Sequence, residues 1–328
     1  MPAEGMSPII ASQYDVIQEL GRGNYAVVHF AKRRSDGMPV AIKVLEKRGL
    51  NDKGVEQVQE EMTVLKQLDH PNLLKLVESC EDDERFFIVT ELCDGGELFD
   101  RIVEREYYSE QDAQKILRDL ASALLYMHSR KIVHRDLKPE NILLSSKADD
   151  AIIKVADFGF SKQLEDAAAS TLGTPAYVAP EILEKKPYDC AVDMWSFGVI
   201  AYVLLCGYLP FADDNPNELF RKIRTGAFVY DSPYWDNISQ DAKDLISSCL
   251  QVDPRRRLTA SDVLKHPWIN SELTAKDITP AISELRGLVL RRKPRRSYLA
   301  VFTAQMLKSV ANKLLISSKD DTLKDSAA

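Results

Sequence analysis

A single stretch of the chain concentrates side chains that could do chemistry together. It begins at His134 and contains Asp136, a candidate base, and Lys138, a cation. Asn141 lies five residues after Asp136, and Asp157 lies sixteen residues further on; both carry oxygen atoms that could bind a metal ion. The stretch lies between apolar, strand-like runs, so these groups are predicted to lie on loops. A three-residue match would carry little weight, whereas the whole set at this spacing is improbable by chance.

The eight residues from His134, His-Arg-Asp-Leu-Lys-Pro-Glu-Asn, and the Asp-Phe-Gly that begins at Asp157 resemble the catalytic loop and magnesium loop of protein kinases. The resemblance implies that Asp136 orients the substrate hydroxyl and accepts its proton, while Lys138 neutralises the transferring phosphate. It also implies that Asn141 and Asp157 hold Mg²⁺ and that ATP is the phosphate donor.

A glycine-rich turn lies near the N-terminus. Gly21 and Gly23 occupy the first two positions of a G-x-G-x-x-G pattern, and Ala26 occupies the third. Glycines allow backbone amides to approach phosphate oxygens closely. A plain hairpin is the alternative interpretation. Val27 and Val28 continue as strand where a dinucleotide-binding fold would begin a helix, which favours the kinase phosphate loop.

A lysine and a glutamate downstream of this turn are predicted to form a pair. The run Val40–Lys43 alternates as a strand does, and the next segment has apolar residues at helical spacing. Glu61 lies on that apolar stripe and needs a partner, for which Lys43 is the obvious choice. Glu60 is the adjacent, solvated alternative, and an ordinary surface lysine is the alternative for Lys43. By resemblance, the pair would hold Lys43 against the ATP phosphates.

The strand-like run Phe86–Leu92 and the Gly-Gly turn after it have the form of a hinge between lobes. The resemblance implies that adenine bonds backbone groups of Glu91 and Cys93, with Thr90 at the back of the pocket. Glu97 would meet the ribose or a substrate arginine; alternatively, it only favours the N-terminal dipole of its helix. The implied ATP-binding set is Leu20, Gly21, Gly23, Val28, Ala41, Lys43, Glu61, Thr90, Glu91, Cys93 and Glu97.

The activation segment of the resemblance runs from Asp157 to Glu181. Ser170 is its predicted phosphorylation site, with Thr171 as the alternative, and Arg135 could pair with a phosphate there. An upstream kinase would then be a partner.

Two further matches are structural. Asp193 resembles the residue that anchors the catalytic loop, and Arg257 matches the position that pairs with Glu181. His128 and His134 are also interpreted as structural.

Other motifs narrow the resemblance to the calcium/calmodulin-dependent kinase group. They are the Gly-Gly-Glu-Leu-Phe-Asp run ending at Asp100 and the Leu-Leu-Cys-Gly-Tyr-Leu-Pro-Phe run ending at Phe211. Val203 stands where kinases that select two adjacent arginines tend to carry glutamate. That substitution favours recognition of one arginine three residues before the target serine or threonine, through Glu97.

Charge is distributed unevenly along the chain. Residues 285–319 contain nine Lys and Arg and no Asp or Glu, so removing them from the total of −7 leaves −16 on the rest. A solvated tail, self-docking, an acidic partner and a nuclear-import patch are the open interpretations. Leu299, Phe302, Met306, Val310 and Leu314 form a helical stripe in this strip.

The strip resembles the autoinhibitory tail that calmodulin removes from the substrate cleft in this kinase group. The candidate calmodulin-binding residues are Arg295, Arg296, Phe302, Met306 and Leu315. A C-terminal helix packed permanently on the large lobe and a membrane-surface helix are the alternatives.

Composition sets further bounds. The chain is 45% hydrophobic, enough for a sizeable core, and its five cysteines show no metal-site spacing. The run Trp195–Cys206 is too short to span a bilayer and reads as a helix buried on all sides. Because the N-terminus has no signal pattern, we expect a cytoplasmic location, with the nucleus as an alternative. Neither nucleic-acid binding nor stable membrane insertion is expected.

Together these features predict an α+β, two-lobed protein-kinase fold with a β-rich N-lobe over residues 14–92 and a helical C-lobe over 93–269. A flexible leader (1–13), an autoinhibitory segment (270–316) and a disordered tail (317–328) flank it. The predicted activity is serine/threonine phosphorylation of proteins. The rivals are a constitutively active or phosphorylation-activated kinase whose tail docks partners, and a nucleotide-binding scaffold without catalysis.

Overall fold

The fold divides into two lobes on either side of the predicted hinge. The computed structural model describes residues 6–22, 26–48, 50–105, 108–158, 162–163, 175–272 and 278–292. Within these, a strand-rich N-terminal lobe leads through residues 91–97 into a helical C-terminal lobe. The predicted two-lobed α+β architecture is confirmed.

One antiparallel sheet forms the framework of the N-terminal lobe, with strand order β1-β2-β3-β5-β4. β-branched and aromatic residues dominate its inner strands, as expected for strands that are buried on both faces. The strands are β1 (Tyr14–Arg22), β2 (Ala26–Arg33), β3 (Pro39–Glu46), β4 (Leu76–Glu81) and β5 (Arg85–Glu91).

The segment before the sheet folds as a short helix, α1 (Pro8–Gln13), which differs from the flexible leader predicted over residues 1–13. Ser7 Oγ accepts a hydrogen bond from the Ile10 amide at 3.3 Å. The Ile10 side chain is fully buried and packs with Tyr14 and Val40 on the outer face of the sheet. One apolar anchor in a helix of 6 residues leaves no periodic pattern, so the sequence alone could not predict it.

Helix α2 (Asp52–Gln67) crosses between β3 and β4. It begins where the Asn51 side chain accepts a hydrogen bond from the Gly54 amide at 2.9 Å, an ordinary N-cap. Its inward stripe buries Glu61, whereas the neighbouring Glu60 is exposed. The helical spacing of the apolar residues therefore predicted the correct glutamate.

The C-terminal lobe is mainly helical. In chain order its helices are α3 (Leu98–Val103), α4 (Glu110–Ser129), α5 (Pro180–Leu183), α6 (Ala191–Cys206), α7 (Pro216–Thr225), α8 (Gln240–Cys249), α9 (Ala260–Lys265), α10 (Pro267–Asn270) and α11 (Pro280–Arg292). Two small antiparallel pairs join β6 (Ile132–Val133) to β9 (Lys162–Gln163) and β7 (Ile142–Leu144) to β8 (Ile153–Val155). Helix α6 is buried from Val192 onward, which confirms the predicted all-round burial.

Helix α11 packs against α3 and α6. Its apolar face buries Ile282, Leu285, Leu288 and Val289. The Ile278 amide, just before the helix, donates to the Tyr108 carbonyl at 3.0 Å. The first part of the predicted autoinhibitory segment is thus a docked helix of the large lobe.

A glycine at the end of α6 makes this docking possible. Gly207 has φ +87°, and a Cβ there would lie 2.2 Å from the Ala281 carbonyl oxygen and 2.7 Å from the Leu285 amide nitrogen. We expect Gly207→Ala to lower the free energy of unfolding by about 2–5 kcal/mol, because it adds both backbone strain and a clash. Urea unfolding measures the loss.

Gly37→Ala is the matched control. Gly37 has a similar φ of +74°, but nothing lies within 4 Å of its added Cβ. This variant should lose only the backbone contribution of about 1–2 kcal/mol. Equal losses in the two variants would contradict a close approach of α11 at Gly207.

Candidate active site

The loop between β6 and β7 brings the predicted catalytic groups together. Asp136, Lys138 and Asn141 are all buried. Lys138 Nζ donates to Asp136 Oδ2. Asn141 Nδ2 donates to the Asp136 carbonyl at 2.8 Å and also lies 3.4 Å from Asp136 Oδ2. One base-type carboxylate is thus held between a cation and an amide.

The carboxylate of Asp193, near the start of α6, fixes this loop. It accepts hydrogen bonds from the amides of His134 and Arg135, each at 2.9 Å, and His128 Nε2 lies 2.9 Å from its Oδ2. Burial alone would raise the pKa of Asp193, but the hydrogen bond and charge of His128 and the other donors lower it on balance. The predicted anchoring contacts are confirmed.

Arg135 adopts an unusual backbone conformation in the loop. Its φ is +68°, in the left-handed region that costs a non-glycine residue energy, and the Asp193 bond to its amide holds it there. Its Nη1 donates to Tyr188 Oη at 2.8 Å. The predicted phosphorylation sites Ser170 and Thr171 lie outside the described residues.

Asp157 follows β8 and faces the same cluster. Its φ is +65°, and the residue is only 1% exposed. Among the described residues, neither of its carboxylate oxygens has a hydrogen-bond partner. The Ala156 amide donates to the Asn141 carbonyl at 2.8 Å, which ties this loop to the catalytic loop.

Electrostatics connect the two loops. Burial raises the pKa of Asp136, the neighbouring Lys138 opposes that rise, and the negative charge of Asp157 adds to it. The two carboxylates are therefore close enough to repel each other. A site of this kind favours a bound cation that neutralises them.

Lys43 and Glu61 complete the cluster from the N-terminal lobe. Both are buried, Lys43 on β3 and Glu61 on α2. Burial lowers the pKa of Lys43, while the charges of Glu61 and Asp157 raise it. Burial raises the pKa of Glu61 to about 7, against the charge of Lys43. The predicted partners thus interact within the N-terminal lobe, and Asp157 interacts with both from the C-terminal lobe.

Strand register places the remaining pocket residues on one face of the sheet. Val28 is opposite Lys43, and Ala41 is opposite Thr90. Residues directly opposite in antiparallel strands share a face, and positions 41 and 43 of one strand do too. Val28, Ala41 and Thr90 therefore lie beside Lys43. Gly23 lies outside the described residues.

At the hinge, Cys93 and Glu97 are both buried. Glu97 occupies the N-cap of α3, but its side chain makes no capping hydrogen bond. Leu20 is half-buried and the adjacent Gly21 is buried, at the end of β1.

A buried ion pair supports the end of the activation segment. Arg257 Nη1 lies 2.7 Å from Glu181 Oε1, and its Nη2 donates to Oε2 at 3.1 Å. The predicted Arg257–Glu181 pair is confirmed. The calmodulin-binding candidates Arg295, Arg296, Phe302, Met306 and Leu315 lie outside the described residues.

Comparison with known proteins identifies the family to which this chain belongs. A family model described as a protein kinase domain matches residues 14–269. The chain belongs to the protein kinase family. This kinase is 43% identical over 318 residues to "Calcium/calmodulin-dependent protein kinase type 1" of Macrobrachium nipponense, which covers 95% of this chain and 92% of the relative.

Two other relatives point to the same group. The kinase is 41% identical to the type 1 enzyme of Caenorhabditis elegans over 92% of this chain and 89% of the relative. It is 44% identical to the type 1B enzyme of Rattus norvegicus over 84% of this chain and 80% of the relative. It is therefore a serine/threonine protein kinase of this group.

Protein kinases of this family use ATP and Mg²⁺, and the residues present fit both. Buried carboxylate oxygens without hydrogen-bond donors, as on Asp157, suit a hard cation. Within the described residues no group of three His, Cys, Asp or Glu could form an all-protein metal cage. Mg²⁺ typically binds to one or two carboxylates and to substrate phosphates. Nor does any described helix have the length and apolarity needed to cross a bilayer.

One buried charge near the site was not predicted from the sequence. Lys154 lies in β8 between Ile153 and Val155, and its Nζ pairs with Glu91 at 2.7 Å. The only local signal was the strand alternation, which puts Lys154 on the face opposite its apolar neighbours.

Proposed function

We propose that the cleft between the lobes transfers the γ-phosphoryl group of ATP to serine or threonine hydroxyls of proteins. One observation carries the proposal: Asp136, Lys138, Asn141 and Asp157 form one buried cluster that Lys43 joins from the other lobe. Phosphoryl transfer needs mainly positioning and charge neutralisation, which is what this set of groups supplies.

In this proposal Asp136 orients the incoming hydroxyl and accepts its proton. Its pKa lies above the usual range because of burial, which makes it a stronger base than an exposed carboxylate. Lys138, which donates to Asp136, would turn to the transferring phosphate. Asp193 keeps both residues in place through the loop backbone.

Asn141 and Asp157 would hold Mg²⁺, Asn141 through its amide oxygen and Asp157 through its carboxylate. Bound Mg²⁺ supplies positive charge to the β- and γ-phosphate oxygens. On the N-terminal side, Lys43 would bind the α- and β-phosphates and Glu61 would hold Lys43. Val28, Ala41, Thr90 and the hinge backbone at Glu91 and Cys93 would enclose the adenine.

Substrate choice is proposed to rest on Glu97. This carboxylate is buried at the start of α3, and an arginine side chain carries the complementary charge. Val203 is fully buried in α6 and cannot supply a second acidic contact. We therefore propose that the kinase recognises a single substrate arginine, three residues before the target serine or threonine.

Transfer of ³²P from γ-labelled ATP to a serine peptide tests the activity. Incorporation should require Mg²⁺ and fall when the arginine at the third position before the serine is replaced by alanine. Nucleotide binding without any transfer to peptide or protein would instead support the non-catalytic scaffold.

Regulation is proposed to act through the basic C-terminal strip. Relatives of high identity are named calcium/calmodulin-dependent kinases, and the strip has the basic, amphipathic pattern of a calmodulin target. We infer that residues after α11 occupy the substrate cleft until calcium-loaded calmodulin binds them. Calcium-dependent retention of the full chain on immobilised calmodulin tests the binding step.

The docked position of α11 determines where the chain should be cut. Removing residues 285–328 would delete Leu285, Leu288 and Val289, whose side chains are buried against the lobe. Deleting 293–328 spares them. We expect this deletion to raise activity without calcium and calmodulin by about 5- to 150-fold, the usual range for coupling between sites.

Basal rates of the full and shortened chains, each with and without calcium-calmodulin, measure this effect. The shortened chain should no longer respond to calmodulin. Equal basal rates in the two chains would instead favour the constitutively active kinase whose tail docks partners.

A further inference from the structure

A buried ion pair links the hinge to the strand that leads to Asp157. Lys154, on β8, is 7% exposed, and the flanking Ile153 and Val155 point into the core on the other side of the strand. Its Nζ lies 2.7 Å from Oε1 of Glu91, whose side chain is 26% exposed. A charge buried to this extent is costly unless it is paired, so this contact is a strong constraint.

Glu91 is also bonded to the N-terminal lobe. Its Oε1 accepts a hydrogen bond from the Lys75 amide at 2.8 Å, and its own amide donates to the Lys75 carbonyl at 3.0 Å. One carboxylate oxygen therefore joins the segment before β4 to Lys154 of the C-terminal lobe. Glu91 is the last residue of β5, where the chain leaves the sheet for the hinge.

The segment before β4 is in turn bonded to β8. The Leu74 amide donates to the Val155 carbonyl at 2.8 Å, and the Val155 amide donates to the Asn72 carbonyl at 2.8 Å. Asn72 Nδ2 adds a bond to the Ile153 carbonyl at 3.2 Å. The hinge, the segment 72–75 and β8 thus form a closed triangle of contacts.

Two corners of this triangle carry parts of the nucleotide site. The hinge backbone at Glu91 is proposed to bind adenine, and β8 ends two residues before Asp157. We propose that Glu91 and Lys154 are positioning residues that hold the hinge at a fixed distance from the magnesium loop, so that adenine and phosphates are bound together. An apolar pair of similar volume could give the same stability, but it would not fix the geometry through a shared oxygen.

Lys154→Met tests this role, because it keeps the length of the side chain and removes its charge. We expect the KM for ATP and the calorimetric Kd for Mg–ATP to rise about tenfold, as loss of a charged hydrogen bond implies, while kcat changes much less. Glu91→Gln should act in the same direction. The double variant should be no worse than the more affected single variant, because both changes remove one contact. Lys154→Arg should restore most of the ATP affinity.

Lys47→Met is the matched control. Lys47 pairs with Glu81 at the same distance, 2.7 Å, but it directly follows β3 and Glu81 ends β4, so both lie in the N-terminal lobe away from the hinge. Its loss should leave the KM for ATP unchanged. A fall in the melting temperature of Lys154→Met with an unchanged Kd would show a purely structural pair and overturn the proposal. Should Lys154→Met fail to fold, Glu91→Gln, at a partly exposed position, tests the proposal by the same measurement.

This positioning role rests on the proposed ATP site. Measurements on the wild-type chain distinguish a failure of the proposed function from a failure of the positioning role. Wild-type protein that binds Mg–ATP but does not phosphorylate peptide would contradict the proposed function and leave the calorimetric comparison intact. Wild-type activity with equal Kd values for Lys154→Met and wild type would contradict the positioning role alone.

Discussion

We expect Asp136→Asn to lower kcat by about 10²- to 10⁴-fold, the contribution of a positioned general base. Asparagine keeps the size of the side chain but cannot accept the proton of the substrate hydroxyl. The affinity for Mg–ATP should change little, because the adenine pocket and Lys43 are not altered. Initial rates with a saturating arginine-containing peptide, together with calorimetric nucleotide binding, measure the two quantities separately.

Glu110→Gln is a suitable control for Asp136→Asn. Glu110 is another buried carboxylate of the large lobe, but it accepts bonds from Trp268 Nε1 at 2.7 Å and from Ser239, away from the catalytic loop. Its substitution should reduce stability and leave kcat unchanged. Turnover by Asp136→Asn close to the wild-type rate would remove Asp136 as the base, and Asp136→Ala would then show whether any group at this position is needed.

Local sequence predicted much of the site because its parts are short and contiguous. Asp136, Lys138 and Asn141 lie on one loop, so their spacing alone implied that they could meet. Glu61 followed from helical periodicity, which placed it on the inner stripe and Glu60 outside. Each of these inferences concerns a single loop or helix, and the local structure of that element is determined by its own residues.

Contacts between distant segments had no such local signal. The Glu91–Lys154 pair joins residues from different lobes, and nothing in the strand pattern names the partner of a buried lysine. Likewise, the docking of α11 depends on Gly207 meeting Ala281, which only the packed lobe reveals. Periodicity indicates which face of an element is buried, but the partner depends on tertiary packing.

The family resemblance predicted the anchoring role of Asp193 and the Arg257–Glu181 pair, neither of which periodicity could predict. It did not predict helix α1, whose buried residue Ile10 packs on the outer face of the sheet. The long-range polar contacts of Asp193 and Arg257 were therefore predicted only because a known motif records them.

Asp193→Asn should be the most damaging change outside the catalytic groups. It replaces a buried carboxylate that serves His128 and the amides of His134 and Arg135. We expect a loss of about 3–5 kcal/mol in the free energy of unfolding, as for removal of one partner of a buried pair. Because the left-handed backbone at Arg135 depends on this acceptor, kcat should fall as well. Urea unfolding and peptide phosphorylation measure the two losses.

The pH dependence of that loss gives a sharper test. The folded-state pKa of Asp193 is lowered, so its contribution is fully present above the unfolded value of about 3.9 and is lost as the pH falls through the folded value. The difference in stability between wild type and Asp193→Asn should therefore be constant near neutral pH and shrink only below about pH 4.

Asp189→Asn provides the comparison for this acid effect. Asp189 is exposed and accepts a single bond from the Ala191 amide at 2.8 Å, so its substitution should cost only about 1 kcal/mol and spare kcat. If Asp193→Asn were no more damaging than Asp189→Asn, the catalytic loop would have to be held by its remaining contacts. These include the His134 Nε2 contact with the Ala156 carbonyl at 3.1 Å and the bond of Asn141 to the Asp136 carbonyl. Neither one reaches the Arg135 amide, so such a result would also leave the strained backbone of Arg135 without a cause.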